Sequence, residues 1–144
     1  MGINGQKYRS NNTLIDSEAI AAQVEKSQAE LVNFSFKYLK EKEDKFIYSA
    51  HNGNYFITLK DRLKAISQLR ILELVLNPST ALRCHAIDFA ATSETCFGIP
   101  RESEVVQKPL QFSLSANEDG RVHGFMIKNT FYIVWLDKLH ELYP

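Results

Sequence analysis

The sequence predicts an α+β fold: an antiparallel sheet, built from a C-terminal three-stranded meander plus an N-terminal strand, packed against a helical hairpin, with an extra N-terminal helix. Three observations carry this expectation. Phe56, Leu59, Leu63 and Ile66 recur at spacings of three and four, the period of a helix with one buried side. The last third of the chain alternates with period two, in runs broken by "NEDG" (117–120) and by Lys128–Asn129, both turn-forming. A chain of 144 residues with 44% hydrophobic side chains can bury one core and is too short for two.

Taken in order, residues 1–13 are polar and read as a disordered arm, leaving 14–144 as a single domain. Asp16 or Ser17 can cap a helix whose apolar side carries Ile20, Val24 and Leu31. In "NFSFKYL" (33–39) Phe34, Phe36 and Tyr38 alternate with Ser35 and Lys37, as in a half-buried strand, and "FIYSA" (46–50) suggests a second short one. The main helix follows, with Asn52 or Asn54 as its cap, and Ser67 restarts a shorter helix that ends before Pro78. Residues 79–108 lack periodicity and form a long excursion with one short strand at "LRCHAI". The strands "LQFSLS", "RVHGFMI" and "TFYIVWLD" make the meander; the last is apolar on both faces and therefore central. "KLHELY" closes the chain as a turn of helix.

Seventeen Lys and Arg balance seventeen Asp and Glu, so any nucleic-acid contact must come from a local patch. The longest apolar run, Phe131–Leu136, is far short of the ~20 residues that span a bilayer. No apolar leader opens the chain, and Gln6 stands where a myristoylation motif wants Ser or Thr. A cytoplasmic protein without membrane partners is expected. Cys84 and Cys96 lack metal-ligand spacing and read as buried thiols. No cofactor or metal is implied.

The polar residues of the meander carry the chemistry. A four-residue loop would pair Ala116 with Arg121, and a two-residue loop Ile127 with Thr130. One face then holds Leu110, Phe112, Leu114, Arg121, His123, Phe125, Tyr132, Val134 and Leu136, with Gln111, Ser113 and Trp135 opposite. A slip of one residue exchanges the faces. Arg121 and His123 share a face in either case, close to the start of a tail carrying Asp137, Lys138, His140 and Tyr143. Such a set can break a phosphodiester: a histidine activates a ribose hydroxyl, an arginine neutralises the phosphate, and an acid protonates the leaving oxygen. The plainer reading makes His123 a satisfied sheet residue and His140 an exposed helix-end residue. Arg83 and His85 form a second small set that can contact RNA or pair with Asp88 or Glu94. No base is oriented onto Cys84, and Tyr55, Phe56, Phe131, Tyr132 and Trp135 read as core aromatics.

The layout, with "GRVHGFMIKNTFYIVWLD" as a strand pair opened by an arginine and "LHELY" as a tail with histidine and tyrosine, resembles the RelE/ParE superfamily of bacterial toxin–antitoxin systems over roughly residues 33–143. The resemblance implies a bacterial or phage protein that binds RNA and cleaves mRNA at the ribosome without a metal, held in check by a cognate antitoxin protein. It assigns Arg121 to the phosphate or transition state, and His140 and Tyr143 to proton transfer or stacking; His123 is added from sheet geometry. Arg83, His85 and Lys138 are the expected RNA contacts. The chain departs from the family pattern in its neutral charge, its N-terminal helix and its long excursion. Neutral charge and the polar arm motivate the alternative: a non-enzymatic protein-interaction module, such as an immunity protein, a phage-encoded inhibitor or a regulatory protein.

Overall fold

A computed structural model describes residues 17–23, 30–75, 82–115 and 119–144. Residues 1–30 and Leu31–Pro144 are two separate compact units. In the first, residues 17–23 are helical (α1) and solvent-exposed, including Ile20. The expected arm at 1–13 and Val24 lie outside the described residues. Leu31, expected on the same apolar helix side, instead forms an antiparallel bridge with Arg70.

The second unit is a mixed five-stranded sheet with short helices, an α+β architecture. Its strands are β1 (Asn33–Ser35), β2 (His85–Ala86), β3 (Pro109–Ser113), β4 (Arg121–Ile127) and β5 (Thr130–Asp137), in spatial order β1-β5-β4-β3-β2. Helices α2 (Gly53–Ile66), α3 (Ile71–Val75) and α4 (Glu102–Val105) and a 3-10 turn at Phe89–Ala91 complete it. Among the described residues no helix is long and apolar enough to cross a membrane.

β5 is an interior strand, flanked by β4 and by the edge strand β1, in keeping with its two-sided apolar sequence, while β4 holds the centre; β1 runs parallel to β5. The β4–β5 turn sets that direction: the Asn33 N–H donates to the Asn129 carbonyl at 2.8 Å, and the Asn129 side chain donates to the Leu31 carbonyl at 3.0 Å. β1 stops at Ser35, whose hydroxyl takes the Lys37 N–H and turns the chain, so the expected continuation to Leu39 is not strand and Phe36 is exposed. "FIYSA" is not a strand either. Phe46 has left-handed backbone (φ 56°) and lays its ring on Trp135 at 4.4 Å.

α2 begins where the capping rule places it, with the Asn52 side chain accepting the Tyr55 N–H at 3.1 Å. It buries Tyr55, Leu59 and Ile66, and with Leu74 of α3 covers the sheet face made by Leu110, Phe112, Leu114, Val122, Phe131, Ile133 and Leu136. The end of the second hairpin helix, at 76–81, lies outside the described residues. The opposite face, with Phe125, Val134 and Trp135, is covered by loops through Phe46, Ile87, Phe97, Ile99 and Leu142. The excursion folds on itself: the Glu102 carboxylate accepts the N–H groups of Phe97, Gly98 and Ile99. Cys84 is buried as expected, whereas Cys96 is exposed.

Two register changes decide which side chains meet. β3 and β4 pair as Ser113↔Arg121 and Gln111↔His123, not Ala116↔Arg121. The offset is odd, so Gln111 and Ser113, rather than Leu110 and Phe112, share the face of His123 and Arg121. Burial of Leu110, Phe112 and Leu114 against α2 and α3 enforces this. β4 and β5 start as expected at Ile127↔Thr130, but a bulge between His123 and Gly124 moves the pairing to His123↔Trp135 and Arg121↔Asp137. Asp137 thereby replaces Leu136 on the polar face. Gly124 permits the close approach there, since a Cβ would stand 2.0 Å from the Tyr132 carbonyl oxygen. The tail is not helical: after a turn at 138–139, His140 takes left-handed backbone with φ 56°.

Candidate functional site

At the end of the sheet where β4 begins and β5 ends, a cavity of about 380 Å³ opens. Four of its lining residues, Arg121, His123, His140 and Tyr143, are the predicted catalytic set, and a fifth is His85. Gln111 and Asp137 complete the lining.

β4 and β5 supply the floor. His123 and Asp137 are fully buried, at 0% and 1% exposure, and the His123 Nε2–H donates to the Asp137 carboxylate at 3.0 Å. Burial holds the His123 imidazole below its ordinary range, against the pull of Asp137. The ring is therefore neutral at pH 7, with its hydrogen on Nε2. Burial pushes Asp137 upward, but the bonds from His123 and from the Glu141 and Leu142 N–H groups outweigh it, and the carboxyl lies below its ordinary value.

Asp137 is also what shapes the tail. Its Oδ1 accepts the Glu141 N–H at 2.7 Å and its Oδ2 the Leu142 N–H at 3.0 Å, which folds the chain back over His140. Leu142 is buried and its carbonyl accepts the Ser93 N–H at 2.9 Å; the Ser93 hydroxyl donates to the Glu141 carbonyl at 2.8 Å. Tyr143 is fixed from the far side by the Asp88 N–H, which donates to its hydroxyl oxygen at 3.2 Å, leaving the phenol hydrogen available to a ligand. His123, although it lines the cavity, is fully buried. The groups with solvent access are His85, Arg121, His140 and Tyr143.

The Arg121 guanidinium is partly buried, its pKa drawn down by burial and by the charge of Arg83, with Asp137 opposing; it stays protonated at any physiological pH. Arg83 is exposed and outside the cavity lining; Lys138, half-buried, is also outside it, its ammonium 5.6 Å from the centre of the Tyr55 ring beside a different cavity. The expected pairing of Glu94 with Arg83 does not form; Glu94 pairs with Lys42 and Lys45 at 2.6 and 3.2 Å. Cys84, its thiol pushed up by burial to about 11, lies outside the cavity lining and is no nucleophile at neutral pH.

His85 and Gln111 form the remaining wall. The His85 Nδ1 lies 3.0 Å from the Ala86 carbonyl oxygen, and the Gln111 amide nitrogen faces both ring nitrogens, 2.8 Å from Nε2 and 3.2 Å from Nδ1. The Gln111 Oε1 and His123 Nδ1 have no hydrogen-bond partner. Gln111 was not among the residues predicted from sequence, because the expected register turned it to the other face. Among the described residues no group of three or more His, Cys, Asp or Glu side chains is placed to hold a metal ion. Comparison of the chain with protein-family models, curated proteins and solved structures found no match.

Proposed function

We propose that this protein is a toxin-type ribonuclease that cuts mRNA, at the ribosome, by metal-independent transesterification, with a cognate antitoxin protein as its restraint. The observation that carries the reading is the convergence of the Arg121 guanidinium, the His140 imidazole and the Tyr143 phenol on one open cavity. Arg121 takes the scissile phosphate and stabilises the charge that develops on it. His140 removes the proton of the ribose 2′-hydroxyl, whose oxygen attacks phosphorus. Tyr143 gives its hydroxyl hydrogen to the departing 5′-oxygen, leaving a 2′,3′-cyclic phosphate and a 5′-hydroxyl. His85 lies beside them as an RNA contact. The chemistry needs a nucleotide that can be splayed into the cavity, which single-stranded mRNA provides.

Inducible expression in a bacterial host tests the reading. The expected outcome is arrest of translation and growth by the wild type and relief by Arg121→Ala or His140→Ala at equal protein level. Unimpaired growth and translation with the soluble wild type would remove the enzyme reading.

A second reading, a protein-interaction module, is favoured by one feature. An apolar groove of about 520 Å³ between β1 and α2 is lined by Phe34, Phe36, Phe56, Leu59 and Leu63 and rimmed by Lys60 and Lys64. Exposed apolar surface of this kind marks contact sites for other proteins. A stoichiometric partner lost on Phe36→Glu, with Arg121→Ala still fully active in the cell, would select it.

A further inference from the structure

Gln111 occupies a position that the catalytic reading leaves unused. It is 3% exposed, sits on the cavity wall and directs its amide nitrogen to His85. The amide nitrogen faces both ring nitrogens of His85, at 2.8 Å from Nε2 and 3.2 Å from Nδ1, and in the tautomer whose Nδ1–H is donated to the Ala86 carbonyl at 3.0 Å the closer Nε2 is the acceptor. The Oε1 points away from His85 and has no partner. A buried amide oxygen without a donor is costly, and the group that satisfies it must carry a hydrogen-bond donor. The cross-strand partner of Gln111 is His123, whose free Nδ1 is itself an acceptor and cannot satisfy it.

A ligand entering the cavity that Gln111 lines can bring that donor. Ser113, two residues after Gln111 on β3 and on the same face, pairs with Arg121, so Gln111 is the diagonal neighbour of Arg121 on that sheet face. Such neighbours are separated by about 7–8 Å at the backbone, and less between long side chains. A phosphate held by Arg121 thus places its adjoining sugar beside the amide. On an RNA chain the donor closest to the phosphate is the 2′-hydroxyl; base edges lie farther off, and DNA has no donor there.

Resting on the ribonuclease reading above, we propose that Gln111 is a specificity-determining residue that accepts the ribose 2′-hydroxyl through Oε1 and selects ribonucleotides over deoxyribonucleotides in the ground state. The hydroxyl hydrogen turns freely about its C–O bond, so this contact leaves the oxygen able to surrender its proton to His140. His85 acts through Gln111 by holding the amide in its accepting orientation.

Adenosine 3′-monophosphate and its 2′-deoxy analogue, neither of which has a diester to cleave, are the probes, titrated calorimetrically into the full chain at pH 7. The wild type is expected to bind the ribonucleotide about five- to tenfold more tightly, the worth of one neutral hydrogen bond in a buried site. Gln111→Met, close in shape but without an acceptor, should abolish the preference while keeping deoxynucleotide affinity within about twofold. Equal wild-type affinities, or a preference that survives in Gln111→Met, would overturn the proposal and leave the ribonuclease reading standing. Binding of neither nucleotide would overturn both. The wild-type ratio alone decides the matter should the variant fail to fold.

Discussion

Asp137 is the residue on which the site's geometry turns, because one carboxylate fixes three groups at once: the His123 ring and the N–H groups of Glu141 and Leu142. Removing it leaves a buried imidazole and two backbone donors without an acceptor. Asp137→Ala is therefore expected to destabilise the fold by about 3 kcal/mol in urea titration, through the loss of three hydrogen bonds to one carboxylate. It should also expose the tail to carboxypeptidase. Both members of the pair make stability fall with acid. The folded-state pKa of His123 lies below its unfolded value, so below about pH 6.5 the unfolded chain takes up a proton that the folded one refuses. Asp137, lowered when folded, contributes fully above its unfolded value near 4 and loses that contribution as pH falls through the folded value. Melting temperatures should thus drop from pH 7 to 5 and again below pH 4, and His123→Asn should flatten the first decline. A pH-independent melting temperature between 7 and 5 would contradict a neutral buried His123.

At the level of elements, the β4–β5 bulge is the feature that turns a meander into a site. A regular continuation of Ile127↔Thr130 would set Leu136, not Asp137, opposite Arg121 on the polar face, and the tail would lose its anchor. Gly124→Ala is expected to cost about 3 kcal/mol, since its Cβ would meet backbone that cannot retreat, and, on the proposed ribonuclease reading, to abolish cleavage at temperatures where the fold survives. Much of this level was legible in the sequence. The helix period and the Asn52 cap located α2, alternation located β3 to β5, and spacing put Arg121, His123, His140 and Tyr143 at one end of the sheet. Gln111 and Ser113 were misassigned because loop length alone does not fix register, and burial of Leu110 and Phe112 against the helices decided it instead. The bulge left no trace beyond a glycine inside a strand, which is the one signal that could have suggested it. The parallel alignment of β1 depended on Asn129 reaching Leu31, a contact across 98 positions that no local pattern encodes.

Across the whole molecule, zero net charge means that on the proposed ribonuclease reading any attraction to RNA is local, centred on Arg121 with Arg83 nearby. Binding should therefore show a shallow salt dependence, with a slope matching about one to three neutralised phosphates; a steeper slope would indicate a basic surface elsewhere. The two sheet faces divide the labour: α2 and α3 cover one with the larger core, while loops cover the other and leave its polar end open as the cavity. The most direct measurement is mRNA end-mapping in a reconstituted translation reaction with purified wild type and Arg121→Ala. The expected result is cleavage leaving 2′,3′-cyclic phosphate ends, slowed about a hundredfold or more in the variant. Intact mRNA with folded wild type, or equal cleavage by Arg121→Ala, would contradict it.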